Sequence, residues 1–464
     1  MKMISTILIL IFPLCMLGQS NLNLYLNNIL KSSPEAQLIE LVRKKNSCNQ
    51  YLQQVIFHPS LSLTSNLPNF TRSINSITQP DGSLKFQTQS QAFSSFGINA
   101  SQALPFSGGN ISLTSGLNRI DLFDPNTSTA WSSNLFVVSY SQPLFQFNEL
   151  KYLKPNLNVS QRLNEALYTK QKRQFEQKIA ALVLDYYNAT GQRSDLKKQL
   201  LSTNKTVQKT QYLVQAGKIL NEDLDLLLIE QKQAQNQLEN LEFSLASLKS
   251  RLTYHLGDSS FEDEIIDFNI NSWPRFIPSK DSLVELAQSD PSWLENIQAI
   301  EQAEQNIERQ KQNSGLSASF DVSFGFNQRA DELEGIYQNP LDRQMATVSV
   351  SMPILDGGRS KYNQLIAQNG LEQATLQKQI AEQSIEQRIN DVISQFKQLD
   401  EQISLSEESL ALARNRSKRY SDLFEVGKIT VDQYLDAQNY ANRIELELLS
   451  AQVNYWKLWY SVLF

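Results

Sequence analysis

Cysteine is nearly missing from this chain, with two in 464 residues. Cys15 falls in an N-terminal leader, so the exported chain keeps only Cys48 and can form no internal disulfide. Cys48 is read as a small buried apolar residue. Histidine is equally scarce. His58 and His255 stand far apart at element ends, are read as surface or loop residues, and complete no cluster with metal-ligand spacing. The 16 glycines form no phosphate-cradling loop between a strand and a helix. The serine-rich stretches carry no nucleophile elbow. These absences argue against an enzyme and against a cofactor, and five methionines without clustering give no support to a metal-specific carrier. Beyond the leader no apolar run reaches the roughly 18 residues of a membrane-crossing helix. The net charge of −6 is mild and its signs interleave, which argues against nucleic acid as a partner and against a polybasic membrane-surface patch.

The leader itself is informative. Lys2 precedes an apolar run from Ile4 to Leu17, then Gly18-Gln19-Ser20. This reads as a secretory signal over residues 1–19. A lipid anchor at Cys15 is the alternative, disfavoured because Phe12-Pro13-Leu14 puts no small residue before the cysteine.

What is abundant is repetition. Gln215-Ala216-Gly217-Lys218-Ile219 matches Glu425-Val426-Gly427-Lys428-Ile429, and Ser141-Gln142-Pro143-Leu144 matches Ser351-Met352-Pro353-Ile354; both pairs are offset by 210. Two matches at one offset imply an internal duplication: residues 20–255, a linker 256–280, and residues 281–464. Between Leu224 and Leu252, Leu224, Leu227, Gln231, Ala234, Leu238, Leu241, Leu245, Leu248 and Leu252 repeat by threes and fours. The same offset leads to Tyr434, Ala437, Ala441, Ile444, Leu448, Ala451, Tyr455, Leu458 and Val462. Both are heptad seams suited to knobs-into-holes packing. Partner helices are expected from about Phe147 to Gln215 and from about Arg359 to Glu425. Some 65 helical residues make a rod of about 100 Å, a length that fits a coiled-coil hairpin and not a globular core. Gly217 and Gly427 then fall at the hairpin tips, with Asn221 and Thr430 as N-caps of the returning helices. Shorter helices, about Leu22–Phe57 and Ser282–Asn313, open the two halves.

The remaining segments alternate as strands. Leu316 to Phe326 and Ala346 to Met352 form one hairpin around a polar loop, Asn327 to Gln344. The first half holds four strand-like segments, near Leu61–Leu67, Phe93–Leu104, Ile111–Leu117 and Asn134–Pro143, so one extra hairpin is inserted there. Alternation of apolar with small polar residues fits a membrane barrel and equally a soluble sheet with one buried face.

These features resemble the TolC family of outer-membrane efflux proteins across nearly the whole chain. The carriers are Met352-Pro353-Ile354-Leu355-Asp356-Gly357-Gly358-Arg359, the tip Glu425-Val426-Gly427-Lys428-Ile429-Thr430, and Tyr434-Leu435-Asp436-Ala437-Gln438. The resemblance implies a mainly α fold with β: a trimeric outer-membrane β-barrel continued by a long periplasmic α-helical coiled-coil barrel. It implies a homotrimer in outer-membrane lipid, a periplasmic adaptor at the tips, and an inner-membrane pump of RND, ABC or MFS type. Bare strand edges cannot rest in lipid, so the chain is expected to share a barrel with other copies. The same resemblance places a periplasmic gate at Asp436 and Asp432, with Gln433 where a second acid is expected. It places a latch at Asp223, with Lys428 next to the expected partner position. The adaptor-docking residues are Gly217, Lys218, Gly427 and Lys428. Pro143, Pro353, Gly357 and Gly358 form the strand-to-helix motif. A coiled-coil scaffold without a pore is the competing reading, as is an extra hairpin standing outside the barrel.

Overall fold

A computed structural model describes residues 32–124, 127–256, 270 and 275–463. The leader with Cys15, residue 464 and most of the expected linker lie outside them. In chain order the elements are α1 (Pro34–Gln54), β1 (Ser60–Thr78), β2 (Leu84–Leu104), β3 (Gly109–Asp124), β4 (Ser128–Leu144), α2 (Glu149–Gln215), α3 (Asn221–Leu256), α4 (Lys280–Gln288), α5 (Pro291–Asn313), β5 (Ser317–Ala330), β6 (Leu341–Ser351), α6 (Arg359–Glu425) and α7 (Val431–Leu463). The starts and ends of α2 and α6, and the starts of α3 and α7, differ by the same 210 positions as the sequence motifs. Among the described residues no helix is long and apolar enough to cross a membrane.

The chain forms two compact units, each drawing on both sequence halves. One comprises residues 45–163 and 294–379. Its centre is a six-stranded antiparallel sheet in the order β1-β2-β3-β4-β5-β6. The extra first-half hairpin, β1–β2, is part of that same sheet, β2 pairing with β3 from Leu104↔Gly109 to Ser90↔Asp124. Alternation sets the faces, because successive side chains point opposite ways. Leu63, Ile98, Leu113, Val138, Phe324 and Val348 share one face across the register. That face is uncovered over most of its extent: Leu63 is 60% exposed, Phe86 72% and Val348 64%. Serine, threonine, asparagine and glycine dominate the other face. Pro68 lies in the bulge of β1 between Asn66 and Asn69, an edge position where a missing N–H is tolerated.

Several expectations need correction. The strands run to between 11 and 21 residues, longer than their apolar cores indicate. Asn327 pairs with Leu341 and Gly325 with Arg343, so the polar loop is shorter than Asn327 to Gln344. The backbone ladder continues where side chains turn polar, since its hydrogen bonds come from the main chain. The segment Pro105-Phe106-Ser107-Gly108-Gly109 separates two strands, as its turn residues indicate. It is the β2–β3 turn, closed by Gly108 N–H donating to Leu104 O at 2.8 Å. The helix expected over Ser282–Asn313 is two helices. Pro291 starts the second, and the Asp290 carboxylate accepts from Ser292 N–H at 2.9 Å.

The other unit comprises, among the described residues, 32–44, 164–256, 270, 275–293 and 380–463. Its described core joins α2, α3, α6 and α7 through Ile179, Val183, Leu252, Phe396, Tyr455 and Trp456, all at most 2% exposed. Phe396 and Tyr455 meet edge to face with centroids 5.4 Å apart. Full burial of such a side chain contributes about 1.5–3 kcal/mol. Every seam residue named above is covered to some degree. Gln231, the one polar seam member, donates to Asn204 Oδ1 at 2.5 Å and so is not left unpaired. Ile270, from the expected linker, is buried in this core.

Cys48 is exposed, not buried. Along α1 the covered positions are Glu35, Ala36, Ile39, Glu40, Arg43, Asn46 and Gln50, and Cys48 lies off that stripe. His255 is not a surface residue either: its side chain is 11% exposed, with Nδ1 3.1 Å from Glu35. Burial and Lys178 lower its pKa, against the pull of Glu35.

Candidate functional site: the helical tips

Both long hairpins end in the same backbone device. In the first, Lys218 N–H donates to Leu213 O at 2.9 Å and Gly217 N–H to Val214 O at 2.9 Å. In the second, Lys428 N–H donates to Leu423 O at 2.9 Å and Gly427 N–H to Phe424 O at 3.0 Å. This is the Schellman closure, which satisfies the last helical carbonyls and needs a left-handed residue. Gly217 and Gly427 supply it, with φ of 66° and 71°. The tip residues Gly217, Lys218, Gly427 and Lys428 are all exposed.

The returning helices start differently. Thr430 Oγ1 accepts from Gln433 N–H at 3.3 Å, and Gln433 Oε1 accepts from Thr430 N–H at 3.3 Å. This reciprocal capping box satisfies two otherwise orphaned donors. It also gives Gln433 a structural reason to occupy the place where an acid was expected. The signal was legible as Thr430-x-x-Gln433 and was missed. In the first half Leu220 stands at the position matching Thr430, and α3 begins at Asn221 itself, one residue earlier than its N-cap assignment implies.

Below the tips, Val207, Leu227 and Val431 are buried together, with Leu224, Leu228, Phe424 and Leu435 against them. Phe424 stacks on Tyr434 at 4.7 Å between centroids. This packing positions the gate candidates. Asp432 and Asp436 are exposed on α7, with Tyr434 and Ala437 buried beside them. Four residues apart, the two acids occupy one helix face. Asp432 also lies in the first turn of α7, where the helix dipole favours an anion. Asp223 is half-buried in the first turn of α3. Among the described residues the side chains of Asp223, Lys428, Asp432 and Asp436 form no ion pair, so the Asp223–Lys428 latch is not closed within one chain. Charged contacts missed from the sequence lie nearby. A cavity of about 360 Å³ is lined by Lys198, Gln199, Arg414, Asn439 and Glu445 among others. There Arg414 pairs with Glu445 at 2.6 Å and Gln199 donates to Asn439 at 3.3 Å. Among the described residues no group of three or more His, Cys, Asp or Glu could hold a metal ion.

The strand-to-helix motif belongs to the sheet-containing unit. Pro143 lies opposite Ser319, one pair before the β4 ladder ends at Leu144↔Ala318, and Pro353 follows β6. Gly357 and Gly358 take φ of 61° and 87°, turning the chain into α6. Asp356 caps that helix: its carboxylate accepts from Gly358 N–H at 2.9 Å, Ser360 N–H at 2.9 Å and the Ser360 hydroxyl. Those bonds, the Ser360 hydroxyl foremost, hold its pKa down to about 2. In the first half the corresponding turn has Phe145 at φ 59° and Asn148 as the cap, accepting from Lys151 N–H at 3.2 Å.

The chain superposes on a membrane protein from Pseudomonas aeruginosa with TM-score 0.69 and 14% identity, covering 95% of this chain and 89% of that one. The outer membrane protein VceC of Vibrio cholerae gives TM-score 0.69 and 14% identity, covering 97% and 96%. The Campylobacter jejuni CmeC outer membrane channel gives 0.64 and 12%, covering 96% and 84%. A comparison with curated proteins finds no match. Residues 283–457 match the family model described as outer membrane efflux protein. The second half of the chain is thus similar to that family, and the whole chain shares the fold of these channel structures.

Proposed function

We propose that three copies of this chain form a passive exit duct. Their sheets close a β-barrel in the outer membrane, and their helical hairpins close an α-barrel whose tips dock a periplasmic adaptor serving an inner-membrane pump. The two halves of each chain are the products of an internal duplication, supported by element boundaries that agree at one offset. The observation that carries the duct is the sheet: apolar residues cover one exposed face, and β1 and β6 leave two open edges. Ile354 and Leu355, at 93% and 92% exposed beside that sheet, belong against lipid or another protomer. A soluble scaffold has no use for such a surface.

At the tips, Asp436 from three protomers would ring the axis. Like charges held close attract cations and resist closure. Gly217, Lys218, Gly427 and Lys428 present the docking surface, and Asp223 with Lys428 can latch neighbouring tips. Exposed pairs of this kind contribute about 0–1 kcal/mol each, small enough for a docking partner to break. Purified protein reconstituted in planar bilayers tests the reading. Wild type should conduct and be blocked by divalent cations, and Asp436→Ala should weaken that block. Absence of conductance refutes the duct; unchanged block removes Asp436 from the gate.

A further inference from the structure

We propose that all six strands of each copy enter the shared barrel, β6 of one protomer pairing with β1 of the next, so that three copies build eighteen strands. This rests on the trimeric duct proposed above and goes beyond it, because the resemblance implies only two strands per half.

The sheet carries the argument. β1–β2 is no appendage: β1 pairs with β2 from Ser60↔Ser101 to Thr78↔Leu84, and β2 continues onto β3 without a gap at the helix-linked end. The outer edges of the sheet are therefore β1 and β6. Every unpaired N–H or C=O left in hydrocarbon costs several kcal/mol, so both edges need a partner. They suit each other. In a six-stranded antiparallel meander the first and last strands run in opposite directions, so closure around an axis joins them antiparallel. Their faces also agree. Leu61 and Leu63 on β1 continue the apolar face that Val348 and Val350 carry on β6. Ser60 and Ser62 continue the small polar face of Ser349 and Ser351. β1 begins at Ser60 just after α1, and β6 ends at Ser351 just before α6, so the paired ends start level with the helices. The alternative barrel uses β3–β6 alone. It leaves β1–β2 splayed, with the edge of β1 bare in hydrocarbon.

The consequence is width. With strands about 4.8 Å apart and tilted about 40°, eighteen strands close at a backbone radius of about 18 Å and twelve at about 12 Å. Allowing about 5 Å for inward side chains, half the spacing of stacked sheets, the lumen radius becomes about 13 Å against about 7 Å. A barrel this wide passes polymer-sized cargo and does not set the size limit of the duct.

The test uses the full chain in a Cys48→Ser background. Ser349→Cys is combined, one pair at a time, with Ser60→Cys, Ser62→Cys or Thr64→Cys on β1, and with Ser112→Cys or Thr114→Cys on β3. Oxidised membranes are resolved without reductant. One β1 pairing should give disulfide-linked trimers, and neither β3 pairing should. Linkage to β3 overturns the eighteen-strand barrel and leaves the trimeric duct standing. Trimers with no linkage at any β1 position also overturn it. Absence of trimers refutes the duct itself. Independently, unmutated trimers in planar bilayers should admit neutral polymers of about 10 Å radius from the barrel side. Exclusion of those polymers, with conduction intact, counts against the wide lumen.

Discussion

Valine in place of Gly427 separates the conformational demand of the tip from every packing effect. Gly427 sits at φ 71°, and a Cβ built there meets nothing within 4 Å. No collision enters, so the whole effect is that of forcing an L-residue into the left-handed region. That costs about 1–2 kcal/mol, and a β-branched side chain belongs at the upper end. The strained residue makes the N–H bond of its own amide to Phe424 O and aligns that of Lys428 to Leu423 O. The opened tip should therefore be populated about 5–30-fold more. Amide hydrogen exchange reads this directly: Lys428 N–H should exchange faster by that factor. Global unfolding should barely move, because exposed helix ends open locally at low cost. Gly427→Asn is the control, since asparagine tolerates the left-handed region better than other residues, and it should fall between glycine and valine. The trimers should remain intact while efflux drops. Equal exchange in wild type and valine, or equal exchange in asparagine and valine, would refute the reasoning.

Other predictions follow from the same geometry. Phe396→Ala, at a site with no exposure, should destabilise the helical unit by about 3–5 kcal/mol, seen as a lower urea midpoint. Thr430→Ala should cost about 1 kcal/mol of α7 stability, and adding Gln433→Ala should cost less than the sum, because the capping box is one reciprocal unit; additive losses would show the box inactive. Asp356 is held below its ordinary value, near 2 against 3.8. Its support of the α6 start is therefore complete above about pH 4 and lost as pH falls through 2. Exchange protection at Ser360 should follow that curve, and Asp356→Ala should abolish the dependence.

Much of the helical architecture was legible because its signals are local and periodic. Two seams of threes and fours, an absence of proline and paired glycines gave α2, α3, α6 and α7 with their turns, since heptad spacing and left-handed caps follow from the geometry of a single helix end. The sheet was half legible. Apolar alternation found part of each of the six strands, β1 to β6, and missed their polar ends, where backbone pairing alone extends the ladder. The exposure of Cys48 and the covering of His255 depended on which stripe of α1 and which neighbours face them.

The sequence alone determined the element types, the offset between halves and the family motifs, because periodicity and caps depend on residues within a few positions of one another. Only the tertiary structure decided that β1 and β2 extend the sheet, leaving β1 and β6 as its edges, and that Gln433 belongs to a cap. Strand neighbours and hydrogen-bond partners are choices among distant or equally polar groups, and no local pattern separates them.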